Sequence, residues 1–426
     1  MASDADAILT AIHADRATLG DRLKTVKDTT AVANDLAKHR DRLAFLRVSD
    51  VTPAVRALGW GGRELFGTQH VPAAQWPLSA QLAVAQGSKP DATPLWTLIA
   101  GGDILLDRGV SLAIGAHGRD FLFDGDEAEI TSRYCCSSFG WELPRTRRVA
   151  GAETMRDYLK AADLTIANFE NPAPNQPRFH AGGTVFSADP KHLKALKDAG
   201  IDWVSIANNH IGDAGRQGIV QTIANLRKNG IKAAGAGKDI AAARAPSFID
   251  VGDIKVALFG YDTIARYYKA DGDTPGSVQM SKTGMKADIK KARAAGADVV
   301  IVMPHWGTEY DPTPFPGQRD LAHAAIDAGA DLVIGNHAHW AGAMEVYEGK
   351  PIWYALGNFV FDQTWSEPTM EGITLELTFR GKELVQAQLH PHVILDKAQP
   401  NFLDPLGDGK VVLSQVFGAS QGLLPW

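Results

Sequence analysis

From Pro94 onward the chain alternates short apolar runs, rich in Val and Ile, with longer stretches whose apolar positions recur at helical spacing. That alternation predicts the strand and helix repeats of a layered α/β domain. The apolar runs are residues 96–100, 164–167, 203–207, 299–303, 332–334 and 352–356. Three joints read alike: Asp198-Ala199-Gly200-Ile201-Asp202, Ala295-Gly296-Ala297-Asp298 and Asp327-Ala328-Gly329-Ala330-Asp331. Each predicts a helix ended by a glycine in left-handed backbone, with a buried strand following after two residues. Upstream, Ile8, Ile12, Leu19, Leu23 and Val26 form a stripe that predicts one amphipathic helix. Residues 43–78 predict short strands and turns, and the Gly- and Pro-bearing stretch 87–94 an interdomain linker.

The predicted strands end on polar residues. The first runs into Gly101-Gly102-Asp103, the second into Asn168-Phe169-Glu170, and the third into Asn208-Asn209-His210. The later ones meet Pro304-His305-Trp306, Gly335-Asn336-His337-Ala338-His339 and Gly357-Asn358. In α/β sheets ligands bind at the carboxyl ends of strands, so these residues are expected to converge although far apart in the chain. Four of the 13 histidines stand just past strand ends. With Asp103, Glu170 and Asn209 they supply the nitrogen and oxygen donors that suit Zn, Mn, Fe or Co.

Composition narrows the classes. A chain of 426 residues with 45% hydrophobic and 22% charged residues is globular, with room for two or three domains. A formal charge of −6 supplies no global positive field for nucleic acid. No apolar run approaches the roughly 20 residues that span a bilayer. The amino terminus carries neither the basic nor the apolar region of a secretory signal. Cys135 and Cys136 are the only cysteines, and their adjacency prevents them from joining distant segments. Buried free thiols, a disulfide between neighbours and metal ligation all stay open.

The ordered motifs resemble the CapA or PgsA capsule and poly-γ-glutamate synthesis proteins, a branch with the calcineurin-like metallophosphoesterase fold. The matching text is Gly102-Asp103, Ala167-Asn168-Phe169-Glu170, Ala207-Asn208-Asn209-His210, Pro304-His305-Trp306-Gly307-Thr308-Glu309-Tyr310, Gly335-Asn336-His337-Ala338-His339 and Gly357-Asn358-Phe359. The resemblance implies a four-layer α/β sandwich of two sheets flanked by helices. It places an accessory region at residues 1–94, the metallophosphoesterase-like domain at 95–380 and a C-terminal extension at 381–426. Metal ligands would be Asp103, Glu170, Asn209, His305, His337 and His339, holding one or two divalent ions (Mn, Zn, Fe or Mg). His210 would be the catalytic imidazole, with Asp213 orienting it. Leu105 stands where the superfamily carries a second first-strand ligand, an imidazole, which would weaken one site.

Substrate contacts are expected from Asn168, Glu309 and Asn358. Between Asp107 and Gly151 lies a connection of about 40 residues, long for a βα loop. Its Arg133, Arg147 and Arg148 are expected to form an anion-recognising lid. The resemblance implies hydrolysis of an anionic ester in cell-envelope polymer biosynthesis, on a small molecule or a polymer. It also implies an extracytoplasmic or membrane-associated setting and membrane-bound synthetase subunits as partners. A non-hydrolytic polymer-binding subunit and a metal-dependent amidase are the alternatives.

Overall fold

The computed structural model describes residues 5–39, 41–72, 75–78 and 93–424. Most of the predicted 87–94 linker lies outside the described residues. Eighteen strands follow one another among them. The first nine are β1 Leu95–Ile104, β2 Glu127–Tyr134, β3 Leu143–Val149, β4 Leu164–Phe169, β5 Trp203–Ser205, β6 Lys232–Ala234, β7 Ala236–Gly237, β8 Ser247–Val251 and β9 Ile254–Asp262. The rest are β10 Gly276–Ser277, β11 Val299–His305, β12 Leu332–Ile334, β13 Met344–Tyr347, β14 Lys350–Trp353, β15 Asn358–Val360, β16 Glu371–Arg380, β17 Glu383–Leu395 and β18 Gln399–Leu403.

Two compact units emerge. The larger comprises Leu98–Leu375 and Leu389–Pro425. Its main sheet runs β3-β2-β18-β17-β16-β1-β4-β5-β6, with β15 pairing β1, and its second sheet runs β13-β14-β12-β11-β9-β8. The central strands β1, β4, β5 and β6 are parallel, as are β9, β11, β12 and β14. Helices cover the outer face of each sheet. Ile99, Ala167, Val204 and Phe359 pack with residues of Arg108–His117, Met155–Ala161, Leu193–Asp198 and Gly215–Lys228. On the other side Phe259, Val300, Val302 and Val333 pack with Ile240–Arg244, Lys282–Ala294 and Pro316–Asp327. This is the expected helix, sheet, sheet, helix layering. At the three joints the glycines have φ +97, +87 and +105, so the helix ends read correctly from the sequence.

The smaller unit contains the described residues up to Thr97 together with Glu376–Gln388. Its core is Val51, Leu65, Phe66 and Val385, and Trp96 stacks on Phe379 with ring centroids 4.2 Å apart. The single amphipathic helix expected here is broken. Helices Ala5–Ala11 and Arg16–Leu19 are separated at His13, whose φ of 54 ends the first. A further helix, Thr29–Lys38, is capped by the Asp28 carboxylate accepting from Ala31 N–H. Residues 43–72 form turns, isolated bridges and a short 3₁₀ helix, Val48–Asp50, rather than named strands.

The long connection after Asp107 is not an open lid. It folds as the helix Arg108–His117 and a β2–β3 hairpin at the sheet edge, because residues 127–134 and 143–149 alternate faces under their many charges. Cys135 and Cys136 follow the last ladder pair of that hairpin and are joined by a disulfide. Both are exposed, which removes the buried-thiol and metal-ligand readings. No helix among the described residues is long and apolar enough to cross a membrane.

Candidate metal centre

The centre begins at the end of β1. Gly102 passes so close to the residue before β15 that an added Cβ would lie 2.0 Å from Gly357 O. Only glycine permits that approach. The strand register shifts between Ala100 and Asp103, and Asp103 lands opposite both Asn168 and Asn358. Its carboxylate accepts from Asn168 Nδ2 at 2.7 Å and from His337 N–H at 3.2 Å. Glu170 follows β4, held by its N–H to Ile104 O at 2.9 Å.

Glu170 is fully buried, and neither of its carboxylate oxygens has a hydrogen-bond partner. Around it stand His305 Nε2, 3.4 Å from Oε1, and His339 Nε2, 3.9 Å from the same oxygen. His305 Nε2 is also 2.7 Å from Asn209 Oδ1 and 3.0 Å from His337 Nδ1. One ring nitrogen carries at most one hydrogen, so that convergence of lone pairs is not satisfied by hydrogen bonding alone. Two donor groups result: Glu170, His305 and His337, and Asp103, Glu170 and His339, with the ligand atoms of each within 4.8 Å of one another. Glu170 belongs to both.

Electrostatics agree with the geometry. Burial pushes the Glu170 carboxyl well above its usual range, and the neighbouring Asp103 and Glu309 charges push further. Asp103 is raised by burial as well. Burial takes His337 down to about 4 and His339 to about 3, and lowers His305 strongly. Low-dielectric surroundings disfavour every charged form here, and a cation among oxygen and imidazole donors would restore what desolvation removes. The donor set therefore fits a borderline divalent ion at Glu170, His305, His337 and Asn209, and a second, poorer site at Asp103, Glu170 and His339. The poorer site has an apolar neighbour, since Leu105 is buried with Phe186, Phe361 and Ile394.

Strain marks the same place. His337 and His339 have φ of 94 and 57, and Tyr310 has 64. Side chains other than glycine adopt such backbone at a cost, and such costs concentrate at functional sites. His339 is further fixed by Nδ1 lying 2.9 Å from Asn358 Oδ1, whose amide nitrogen donates to Thr369 O.

Beside the cluster, His210 Nδ1 lies 2.9 Å from Asp213 Oδ2, which also accepts from Phe186 N–H at 2.9 Å. The ring packs on Phe186, with centroids 4.1 Å apart. Glu309 is exposed but near enough to raise both carboxyls. The three arginines expected on a lid are not brought into this group. On the hairpin, Arg133 pairs with Glu367 at 2.6 Å, Arg148 with Asp396 at 2.5 Å, and Arg147 with Glu129.

One cation escaped the sequence reading. Arg108 opens its helix with φ 49, pairs with Asp362 and donates to Gly183 O at 2.7 Å. Its guanidinium lies over Phe186 and Phe361, the rings that also touch His210 and His339. It stands four residues past the end of β1, behind Leu105, Leu106 and Asp107, where no sequence pattern marks it.

Comparison with known proteins places the chain. It is 32% identical over 278 residues to the capsule biosynthesis protein CapA of Bacillus anthracis, covering 63% of this chain and 61% of that one. It is 35% identical over 224 residues to the PGA biosynthesis protein CapA of Bacillus subtilis (strain 168), covering 51% and 59%. The match thus spans about three fifths of the length of these two relatives. A probable polyglutamine synthesis accessory protein of Mycobacterium tuberculosis is 29% identical over 62% of this chain and 74% of its own. Among solved structures, the calcineurin-like phosphoesterase YfkN of Bacillus subtilis is similar at 13% identity and a TM-score of 0.40, covering 77% of this chain and 97% of that one. The signature of the family described as bacterial capsule synthesis protein PGA_cap matches residues 97–363, and the chain belongs to that family.

Proposed function

We propose that this protein hydrolyses an anionic ester with a divalent metal, in the assembly of a capsule or poly-glutamate polymer at the cell envelope, alongside membrane-bound synthetase subunits. The names of the two Bacillus relatives support the process. Glu170, a buried carboxylate with two unpartnered oxygens shared by two donor groups, supports the chemistry. Glu170, His305, His337 and Asn209 would hold a divalent ion, which would supply Lewis-acid chemistry to the ester and to water.

The chain's own residues supply the rest. Asn168 orients Asp103, and Asn358 orients His339. Asp213 engages His210 at Nδ1, which leaves Nε2 as the nitrogen that passes a proton to the leaving oxygen. A second reading, a polymer-binding subunit without turnover, is favoured by one observation: Leu105 leaves the Asp103 side short of a nitrogen donor.

Elemental analysis of the purified protein, followed by turnover of aryl phosphomonoesters and phosphodiesters with added Mn²⁺ or Zn²⁺, separates the two. Bound metal and turnover, both lost in His337→Ala, are expected. Bound metal without turnover favours the second reading, and absence of both overturns the metal-centre assignment.

A further inference from the structure

The Cys135–Cys136 disulfide has no evident structural task. A bond between neighbours closes almost no chain, so the entropic stabilisation that grows with loop length is at its smallest. The chain has no third cysteine to exchange with. Both residues are exposed, which admits the in-line approach that exchange requires.

Location gives the pair its consequence. The β2–β3 ladder ends at the Tyr134 and Leu143 pair, and the turn beyond is held by Ser137 N–H donating to Trp141 O at 2.8 Å and Gly140 N–H to Ser137 O at 2.9 Å. The cysteines are the joint between ladder and turn. From that turn Phe139 reaches Trp365 and Trp141 reaches Trp340, at ring-centroid distances of 5.4 and 5.7 Å. Both indoles touch Tyr310, at 4.7 and 6.3 Å, and Tyr310 faces the His339 ring at 6.0 Å. A continuous run of rings thus connects the joint to a residue of the metal centre. The outer rings are the loosely held ones: Phe139 is 71% and Trp141 37% exposed. Near the turn the hairpin is also anchored by Arg133 to Glu367, two residues beyond Trp365.

We propose that Cys135–Cys136 is a thiol–disulfide exchange site for a dithiol reductant, and that its state sets how Phe139 and Trp141 seat on the aromatic rim of the metal centre. One thiolate of the dithiol attacks one cysteine sulfur, the S–S bond breaks, and the released cysteine thiolate takes a proton. The second thiol of the reductant then attacks the mixed disulfide, closes its own disulfide and frees the other cysteine. Protein disulfide is reduced by two electrons and dithiol oxidised by two. Opening the eight-membered ring releases the backbone torsions between the cysteines, and the turn they carry gains freedom. The exchange chemistry stands independently of the proposed hydrolysis; only its effect on the rim rests on that reading.

The test uses the full chain with dithiothreitol as the dithiol. Purified without reductant and denatured, the protein should show no titratable thiol; after native treatment with dithiothreitol and its removal it should show both. Reduction should red-shift tryptophan emission and raise its quenching by acrylamide. The Cys135→Ser/Cys136→Ser protein should resemble the reduced form and ignore dithiothreitol, and Trp141→Phe should blunt the response. Free thiols before treatment, resistance of the native disulfide to dithiothreitol, or reduction without a change in emission or quenching would overturn the proposal. Thermal stabilisation by Mn²⁺, measured in parallel, separates the readings: its absence with intact exchange overturns the metal centre and leaves the exchange site standing.

Discussion

Glu170→Gln should make the metal-free protein more stable and the metal-loaded protein less so. The carboxylate is fully buried with two oxygens that lack a hydrogen-bond partner. Each such group costs about 1–3 kcal/mol. Glutamine keeps the shape, is neutral at every pH and offers an amide N–H to the surrounding imidazoles, so a gain of about 2 kcal/mol is expected in EDTA. At roughly 2.1 cal/mol/K per residue over about 300 residues, that raises Tm by about 3 °C. With Mn²⁺ at a hundred times Kd the wild type gains about 2.7 kcal/mol, or about 4 °C, and the variant a small part of it. Scanning calorimetry in EDTA and in Mn²⁺ should therefore show the order of the two proteins reverse. The pH dependence has a defined sign. The folded-state pKa of Glu170 lies above its ordinary value, so the native protein keeps a proton that the unfolded chain has lost. Stability from this group is full in acid and is lost as pH rises, so the gap in EDTA should widen with pH. A variant less stable than wild type in EDTA, or stabilised equally by Mn²⁺, would refute the reasoning.

Other substitutions separate further contributions. Asp213→Asn removes the negative acceptor from His210 Nδ1 and should lower turnover roughly ten- to hundredfold with unchanged metal content, read by steady-state kinetics and elemental analysis. Burial lowers His392 to about 4 against 6.5 unfolded, so its contribution is present above pH 6.5 and is lost, by about 3 kcal/mol, as pH falls to 4. Urea midpoints across that window should flatten in His392→Gln. Arg108 and Asp362 are only 13% and 11% exposed, so Arg108→Met strands a buried carboxylate at a cost of roughly 3 kcal/mol. Adding Asp362→Asn should recover part of that loss in the same urea experiment.

The centre was legible because its donors punctuate strands. Asp103, Glu170, His305, His337 and His339 each stand where an apolar run stops, and parallel strands carry such ends to one edge. Asn358, expected as a substrate contact, stands at the same kind of strand end, and its hydrogen bond to His339 gives it a different task. Arg108 could not be read so, since its importance arises from Phe186 and Phe361, which only tertiary packing brings to it. The arginines of the hairpin misled for the converse reason. Guanidinium content suggested anion recognition, but Arg133, Arg147 and Arg148 each meet a carboxylate that the sequence keeps at a distance or on a neighbouring strand. The β3 segment was hidden because Arg145, Arg147 and Arg148 occupy both faces of a strand at the sheet edge, where neither face reads as buried, and β2 beside it buries only its first residues.

The sheet order carries a practical consequence for anyone trimming this protein. The family signature ends at residue 363, yet β16 and β17 stand between β1 and β18 in the middle of the main sheet. His392, on β17, donates from Nε2 to the backbone carbonyl of Asn358 at 2.9 Å only through that arrangement. A fragment cut to the signature would keep every proposed metal ligand and lose β16, β17 and β18, three strands of the main sheet. The recognisable stretch of sequence and the smallest piece able to fold are two different lengths of chain.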